Sequence, residues 1–503
     1  MTASSHPLLR RRSSGVLLHL TSLPGPHGHG DLGVGALYFL DWLASARQGL
    51  WQILPLTPPG PGHSPYSSPS AFAGNPWLVD LQEMVRQGWL AELPSPGWNP
   101  RQADFDRVIP WRLNALWAAW MGFCDRGSRE QHDQMEQFAQ ENAYWLLDYA
   151  RFMVLHQRHG APWTAWPAPI ARREREALSE FDSEAQLPIR FWQFVQWRFD
   201  VQWQRLRREA QARGVRIVGD VPIFVSHHSA DVWAHPHLFK LDILGNCGVV
   251  AGVPPDYFSP TGQRWGNPLY DWAAMAREGH AWWIRRVAHH LRWVDMLRLD
   301  HFRGFQAAWE IPAGMPDATQ GDWRAGPGRS FFQALERALG PLPVIAEDLG
   351  MIGPDVERLR RDCALPGMRI LQFAFGDNHR NPYLPHNYEP ATVAYTGTHD
   401  NDTAFGWWHS ATVDERAAAR DYLGPDVEAE PHWAMIRALS QSVANTLLVP
   451  FQDLLGLDSQ HRMNRPGQAE GCWAWRFEWA QVDGVPAERL GAITRSHGRN
   501  FSD

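Results

Sequence analysis

Three acidic residues of this sequence, Asp300, Glu347 and Asp400, stand at or just beyond the ends of short apolar runs. Paired carboxylates can divide the work of breaking a glycosidic bond, because an ionised one attacks as the nucleophile while a protonated one acts as the general acid. In the retaining form of this chemistry the two groups stand about 5 to 5.5 Å apart. The three acids therefore predict carboxylate catalysis, provided that the fold brings the ends of their runs together.

The neighbours of these acids suggest which duty each one has. Arg298 precedes Asp300 by two residues, so in an extended strand their side chains share one face. A guanidinium beside a carboxylate lowers its pKa, which suits a nucleophile. Glu347 follows the apolar residues 344–346, where partial desolvation and neighbouring anions raise its pKa and suit it to donate a proton. Asp348 points to the other face and is expected to be structural. An Arg298–Asp300 pair taken alone is equally compatible with a purely structural ion pair.

Two histidines directly adjoin these acids, His301 after Asp300 and His399 before Asp400. Each could donate a hydrogen bond to a sugar oxygen, and Asp400 could hold sugar hydroxyls. A single histidine is more often a core residue whose ring nitrogens have hydrogen-bond partners, but a position next to a candidate acid in the sequence favours a functional role.

The elements that must position these residues can be counted as apolar runs bounded by turn signals. Eight such runs, with helical patterns between many of them, predict an α/β fold with parallel pairing, a (β/α)₈ TIM barrel. Reacting residues of such barrels lie at the C-terminal ends of the strands, so the three acids would meet over one mouth. The predicted strands are Gly15 to Leu20, Leu50 to Leu56, Val215 to Asp220, Met296 to Asp300, Val344 to Glu347, Arg369 to Phe373, Val393 to Thr396 and Leu447 to Phe451. The predicted helices are Ala36 to Arg47, Phe194 to Ala212, Ala273 to Val294, Ser330 to Leu339, Asp355 to Cys363 and His432 to Thr446.

Uneven spacing between these strands predicts two insertions in a single barrel domain that spans residues 1–503. Residues 57–214 separate the second predicted strand from the third and are far longer than a strand-to-helix connection requires. We therefore expect them to contain a helical insertion subdomain. Residues 226–273 form a second long excursion, which would overhang the mouth. The parts of it around 253–259 and 263–268 are too rich in Pro and Gly for helix and predict an ordered active-site loop that presents aromatic side chains.

Composition excludes several classes of function. The net charge of −7 comes without long runs of one sign, which speaks against nucleic-acid binding and against disorder. No run of about 18 apolar residues predicts a membrane span, and no signal-peptide pattern follows the first residues. Four cysteines without Cys-x-x-Cys spacing suggest a reducing cytoplasm and no zinc module. Lys240 is the only lysine and lies in no phosphate-binding or Schiff-base motif, so we expect neither a cofactor nor a metal.

Several segments together resemble the signature sequences of the amylomaltases, the 4-α-glucanotransferases of glycoside hydrolase family 77, in their short form without an N-terminal extension. The resemblance covers nearly the whole chain. Its segments are Ser64-Pro65-Tyr66, residues 71–76, Gly219 to Val225, Ala251 to Asn267, Leu297 to Gly304, Ala346 to Gly350, Thr396 to Asp402 and Arg462-Met463-Asn464 with Pro466-Gly467.

This resemblance implies transfer of α-1,4-glucan segments between maltooligosaccharides or larger glucans, with glucose among the acceptors. It implies that Asp300 is the nucleophile, Glu347 the general acid/base and Asp400 the transition-state stabiliser. Residues implied at the sugar are Arg298, His301 and His399, with Tyr66, Asp220 and Asn464 lining the same subsite and with Tyr257, Phe258 and Trp265 in a mobile loop on the acceptor side.

Three other functions remain open at this level. A retaining α-glucan hydrolase would use the same fold and acids, because these do not distinguish water from a sugar acceptor. A metal-dependent barrel hydrolase could take His301, His399, Asp400 and Asp402 as ligands, although the paired histidines expected on the first strand are missing. A non-catalytic glycan-binding protein would keep the tryptophans but would not require acids at three strand ends.

Overall fold

Eight parallel strands close into a barrel in the computed structural model of this chain, which describes residues 5–256, 259–350, 352–468, 470–482 and 485–500. The barrel order is β1-β12-β11-β10-β9-β6-β3-β2, and the strands β4, β5, β7 and β8 form a separate sheet. The strands are β1 (Ser13–Leu17), β2 (Leu50–Gln52), β3 (Arg216–Val221), β4 (Val249–Val253), β5 (Gln263–Pro268), β6 (Met296–Leu299), β7 (Ala307–Pro312), β8 (Asp322–Ala325), β9 (Val344–Ala346), β10 (Gly367–Ile370), β11 (Thr392–Tyr395) and β12 (Thr446–Pro450).

The predicted (β/α)₈ barrel is confirmed, and all eight predicted strands are barrel strands. Every ladder of the barrel is parallel, and β1 closes it by pairing with both β2 and β12. The ends of three strands differ from prediction by three residues or more. β1 ends at Leu17, three residues before the predicted end at Leu20. β2 ends at Gln52, four residues early, and β10 runs from Gly367 to Ile370, after which residues 371–373 turn into a 3₁₀ helix.

Helices surround the barrel and fill the long connections. They are α1 (Pro7–Arg10), α2 (Val34–Ser45), α3 (Leu81–Arg86), α4 (Phe105–Arg126), α5 (Arg129–Glu141), α6 (Leu146–His159), α7 (Ala168–Ala171), α8 (Arg175–Glu184), α9 (Gln186–Ala212), α10 (Ala230–Ala234), α11 (Trp272–Arg277), α12 (Ala281–Trp293), α13 (Gly328–Leu339), α14 (Pro354–Asp362), α15 (Ala404–Ser410), α16 (Val413–Leu423), α17 (Pro431–Gln441), α18 (Phe451–Leu454) and α19 (Val485–Ser496).

Three predicted helices need correction. The helix expected to begin at Phe194 is α9, which begins eight residues earlier, at Gln186. The helix expected from Ala273 to Val294 is broken into α11 and α12, because Gly279 and His280 take left-handed backbone angles with φ of 62° and 58°. The helix expected to reach Thr446 is α17, which ends at Gln441 because Thr446 already belongs to β12.

The connection between β2 and β3 contains the seven helices α3 to α9. Most of its tryptophans pack inside. Trp89, Trp192 and Trp203 are almost fully buried, whereas Trp117 is 36% exposed. Hydrogen bonds tie this connection to the barrel; Trp203 Nε1 donates to the main-chain oxygen of Trp293 at 2.9 Å. No helix of the described ranges is long and apolar enough to cross a membrane.

The prediction of an ordered loop for residues 226–273 is wrong in part. This stretch contains α10 and the strands β4 and β5, which join β7 and β8 in an antiparallel sheet of order β5-β4-β7-β8. Gly266 and Pro268 argue against a helix here, and the segment is instead the edge strand β5, where a glycine and a terminal proline are tolerated.

Side chains alternate between the two faces of each barrel strand, so every second residue faces the interior of the barrel. One buried cluster fills the interior of the barrel, and it includes Met296, Val218 and Ile345. Leu297, Leu299 and Val344 belong instead to the cluster shared with the surrounding helices. Since side chains two residues apart share a face, the polar residues that follow this inner cluster along the same strands also point into the barrel mouth.

Candidate active site

Arg298 and Asp300 continue the inward face of Met296 on β6, and Glu347 continues that of Ile345 after β9. Arg298 is 3% exposed. Its Nη1 donates to both oxygens of Asp220, at 2.8 and 2.7 Å, and lies 3.0 Å from Asp300 Oδ1. One buried cation therefore serves two carboxylates.

The charge of Arg298 is secured by these acids. Burial alone would lower the pKa of Arg298, but Asp220 and Asp300 outweigh burial and raise that pKa well above its ordinary value. Tyr66 completes the group, because its Oη donates to Asp220 Oδ2 at 2.7 Å. Burial and the charge of Asp220 raise the pKa of Tyr66 well above normal, so the phenol stays protonated.

Glu347 is oriented by the main chain. The N–H of His301 donates to its Oε2 at 2.7 Å, and the N–H of Leu349 donates to its Oε1 at 2.9 Å. His301 has a left-handed backbone with φ of 48°, which is uncommon for a residue with a Cβ. One oxygen of Glu347 is thus fixed by the segment after β6 and the other by the segment after β9, while the residue remains partly exposed.

The two acids titrate as a linked pair. Burial raises the pKa of Asp300 to about 7 and that of Glu347 to about 8, while Arg298 acts in the opposite direction on both. The raised pKa of Glu347 agrees with the sequence analysis. The lowered pKa expected for Asp300 does not, because burial and the anions Asp220 and Asp400 outweigh a guanidinium that Asp300 shares with Asp220. Because Asp300 has a direct ion pair with Arg298, it still ionises more readily than Glu347.

Asp400 lies in the loop after β11 and is held at both oxygens. Asn464 Nδ2 donates to Asp400 Oδ1 at 2.6 Å, and His399 Nε2 lies 3.3 Å from Asp400 Oδ2. Burial lowers the pKa of His399, so the ring is neutral near pH 7. The Asp400 side chain nevertheless keeps 42% of its surface exposed. It is an oriented carboxylate with room for a ligand.

Aromatic rings line this mouth on two sides. Tyr66 stacks on His399 with centroids 5.2 Å apart, and Trp473 lies 5.8 and 6.0 Å from these two rings. Trp265 on β5 meets His301 edge to face at 4.7 Å. Burial lowers the pKa of His301 to about 3, which leaves this ring neutral. Flat rings beside polar groups are a surface on which sugar rings can stack.

Contacts therefore connect most of the residues singled out in the sequence. They are Tyr66, Asp220, Trp265, Arg298, Asp300, His301, Glu347, His399, Asp400 and Asn464. Tyr257 and Phe258 lie outside the described residues. Sequence reasoning missed Trp473, whose position depends on a backbone φ of 66° that no residue type announces.

Asp348 points away from the mouth, as its place in the alternation suggests. Its Oδ1 accepts from the N–H of Met368 at 2.7 Å, and its Oδ2 lies 3.1 Å from Arg360 Nε. It is a structural acid that ties β9 to β10.

The donor set of a metal-dependent hydrolase is not assembled in the described parts of the chain, where no three His, Cys, Asp or Glu side chains are grouped to hold an ion. Asp402, one of the four proposed ligands, instead accepts from Ser459 Oγ and from the N–H of Thr403, both at 2.8 Å.

The chain is similar over most of its length to known 4-alpha-glucanotransferases. A family profile described as 4-alpha-glucanotransferase, for glycoside hydrolase family 77, matches residues 18–481. The 4-alpha-glucanotransferase of Thermus thermophilus is 48% identical over 497 residues, which cover 97% of this chain and 99% of that protein. That of Synechocystis sp. is 45% identical over 502 residues, which cover 98% and 99%.

Among solved structures, the amylomaltase from Streptococcus agalactiae in complex with acarbose superposes with a TM-score of 0.94 at 37% identity, over 97% of this chain and all of that one. The comparisons favour the transferase over the hydrolase, the metal enzyme and the binding protein. The chain belongs to glycoside hydrolase family 77, the family of the 4-α-glucanotransferases.

Proposed function

We propose that this 4-α-glucanotransferase moves α-1,4-glucan segments between maltooligosaccharides by a retaining double displacement, with Asp300 as nucleophile and Glu347 as general acid and base. These two roles are assigned from the different partners of the two carboxylates. Asp300 has the buried Arg298 at 3.0 Å, whereas Glu347 is held by two main-chain N–H groups and, among the residues that the structure describes, forms no ion pair.

In the first step Glu347 gives its proton to the glycosidic oxygen as Asp300 attacks the anomeric carbon. The bond to the leaving glucan breaks, and a glycosyl ester of Asp300 forms. A raised pKa keeps Glu347 protonated near neutral pH, and Arg298 stabilises the ionised Asp300.

In the second step the 4-hydroxyl of an acceptor sugar enters, and Glu347 now takes its proton as a base. The acceptor oxygen attacks the anomeric carbon and displaces Asp300, so two inversions give overall retention. Glucose is the smallest sugar acceptor in this scheme, and water in the same place would give hydrolysis.

Asp400 stabilises the transition state in this proposal. It accepts hydrogen bonds from hydroxyls of the sugar at the cleavage point, which strengthen as the ring gains oxocarbenium character. Its exposed carboxylate, held by Asn464 and His399, supports this role. Tyr66 and His399 would line the same subsite, and Trp265 with Tyr257 and Phe258 would contact the acceptor.

We also propose that residues 57–214 form a helical subdomain within one barrel domain. Residues 226–273 would line the acceptor side of the active site. All four cysteines are free thiols in the structure, which supports action in the reducing cytoplasm. By analogy with the Streptococcus agalactiae relative, we expect the enzyme to bind acarbose.

Incubation with maltotriose alone tests the function. Transfer should yield glucose and a ladder of oligosaccharides longer than the substrate, with little net gain in reducing ends. Reducing ends that rise in step with bond cleavage, without any longer product, would establish hydrolysis instead.

A further inference from the structure

Arg462 lies beside Asp400 without touching its carboxylate. It belongs to the bracing segment, which we define as residues 459–464, between α18 and the end of the chain. Arg462 Nη2 donates to the main-chain oxygen of Asp400 at 2.9 Å, and its Nε donates to the main-chain oxygen of Asn464 at 3.3 Å. Its side chain is only 21% exposed. One guanidinium thus joins the backbone of Asp400 to the backbone of the residue that holds its carboxylate.

Further contacts of the bracing segment reach the same loop. Ser459 Oγ donates to Asp402 Oδ2 at 2.8 Å, and the N–H of Asn464 donates to the main-chain oxygen of His399 at 3.0 Å. Arg462 Nη1 lies 4.0 Å from Asp402 Oδ2. The loop that carries Asp400 leaves the barrel after β11, so these contacts help to set its course, together with a hydrogen bond from Gln372 Nε2 to the main-chain oxygen of Asp402 at 2.7 Å and with one from the N–H of Thr398 to Asn401 Oδ1 at 2.8 Å.

We propose that Arg462 is a positioning residue, which fixes the carboxylate of Asp400 by holding the main chains of Asp400 and Asn464 together. The inference rests on the proposed role of Asp400. Without the guanidinium, the main-chain oxygens of Asp400 and Asn464 both lose a charged donor. The two segments then keep the hydrogen bonds from Asn464 Nδ2 to Asp400 Oδ1 and from the N–H of Asn464 to the main-chain oxygen of His399, but the main chain of Asp400 itself is held less firmly.

The consequence should fall on the transition state. Substrate binding is spread over several sugar rings, whereas Asp400 acts on the single ring that is distorted during the reaction. A displacement of about 1 Å at such a group can cost about 100-fold in rate. Loss of Arg462 should therefore lower kcat far more than it raises KM.

The test uses Arg462→Met, which keeps the length of the side chain and removes its donors, and Arg462→Lys, which keeps the charge. We expect kcat to fall about 30-fold in Arg462→Met with KM within about threefold of wild type. Arg462→Lys should recover part of this loss, because one ammonium can reach only one of the two carbonyl oxygens at a time. Affinity for acarbose, whose flattened ring resembles the transition state, should fall with kcat/KM.

Arg465→Gln is the matched control. Arg465 is exposed, and its Nη2 donates to the main-chain oxygen of Ser459 at 2.8 Å, so it braces the same stretch of chain without contacting the Asp400 loop. This variant should keep the wild-type kcat. An equal loss in Arg462→Met and Arg465→Gln would overturn the proposal, as would a wild-type kcat in Arg462→Met.

A double-mutant cycle separates this inference from the role of Asp400. If Arg462 acts through Asp400, then Arg462→Met should cost little further activity in an Asp400→Asn background. A full additional loss there would show an independent role and refute positioning. A wild-type kcat in Asp400→Asn would refute the proposed function of Asp400. If Asp400→Asn is inactive but Arg462→Met is fully active, only the positioning role of Arg462 is refuted. Should Arg462→Met fail to fold, Ser459→Ala loosens the loop from Asp402 and should lower kcat in the same selective way.

Discussion

Arg298 donates through a single nitrogen to both oxygens of Asp220, at 2.8 and 2.7 Å. Asp300 therefore receives only part of the field of this cation, and Asp220 adds its own negative charge nearby. Both effects help to raise the pKa of Asp300, beside the larger effect of burial.

Asp220→Asn should consequently lower the pKa of Asp300. The nucleophile would ionise at lower pH, so the acid limb of the kcat/KM profile should move down by about one pH unit. The alkaline limb, which reports Glu347, should move less. Profiles of wild type and variant on maltotriose measure this, and an acid limb that stays in place or moves upward would contradict it.

Asp300→Asn and Glu347→Gln should each lower turnover by about three orders of magnitude or more, because nucleophile and acid act as a unit. Binding of maltooligosaccharide, measured by calorimetry, should survive in both, since neither change removes the aromatic walls. A variant that keeps more than about a tenth of wild-type activity would exclude its residue from the assigned role.

Burial of the same acids should cost stability as the pH rises. The folded-state pKa of Asp300 is raised from 3.8 to about 7, so its neutral form stabilises the fold fully below about pH 4, and this contribution is lost as the pH rises through 7. Asp300→Asn removes the ionisation, so its free energy of unfolding and its Tm, both relative to wild type, should rise between about pH 4 and pH 8. We expect the free energy of unfolding to rise by about 1 to 2 kcal/mol, because the Asp300 side chain is 27% exposed and its ionisation is coupled to that of Glu347. If the Tm difference between Asp300→Asn and wild type does not change with pH, ionisation of Asp300 does not destabilise the fold.

The sequence reveals the barrel because each strand is an apolar run between turn signals, and it reveals the acids because they end those runs. It does not reveal that Asp220 on β3 and Arg298 on β6 are register partners, since that depends on how two strands far apart in sequence align. The sheet of β4, β5, β7 and β8 escaped prediction for a related reason. An edge strand such as β5 carries Gly266 and Pro268, which read locally as loop.

Sugar and water compete for the same glycosyl intermediate. Once the glycosyl ester on Asp300 has formed, water at ~55 M competes with the acceptor, so transfer requires a high effective concentration of sugar at a site kept dry. Trp265 is the described residue best placed for this. It is 38% exposed on the edge strand β5, and its ring meets His301, the residue next to Asp300. Trp265→Ala should therefore raise the ratio of hydrolysis to transfer several-fold on maltotriose, measured as reducing ends gained per bond cleaved.

Trp323→Ala is the matched control for this change. Trp323 is 40% exposed and lies on β8, at the opposite edge of the same sheet, where it packs against Trp309. Its loss removes a similar area of indole from the same sheet but leaves the contact with His301, so the product ratio should stay that of wild type. If both variants shift the ratio equally, stability of the sheet controls water access. An unchanged ratio in Trp265→Ala would show that this ring does not favour the acceptor, and Tyr257→Ala with Phe258→Ala would then test the remaining aromatic residues of the loop.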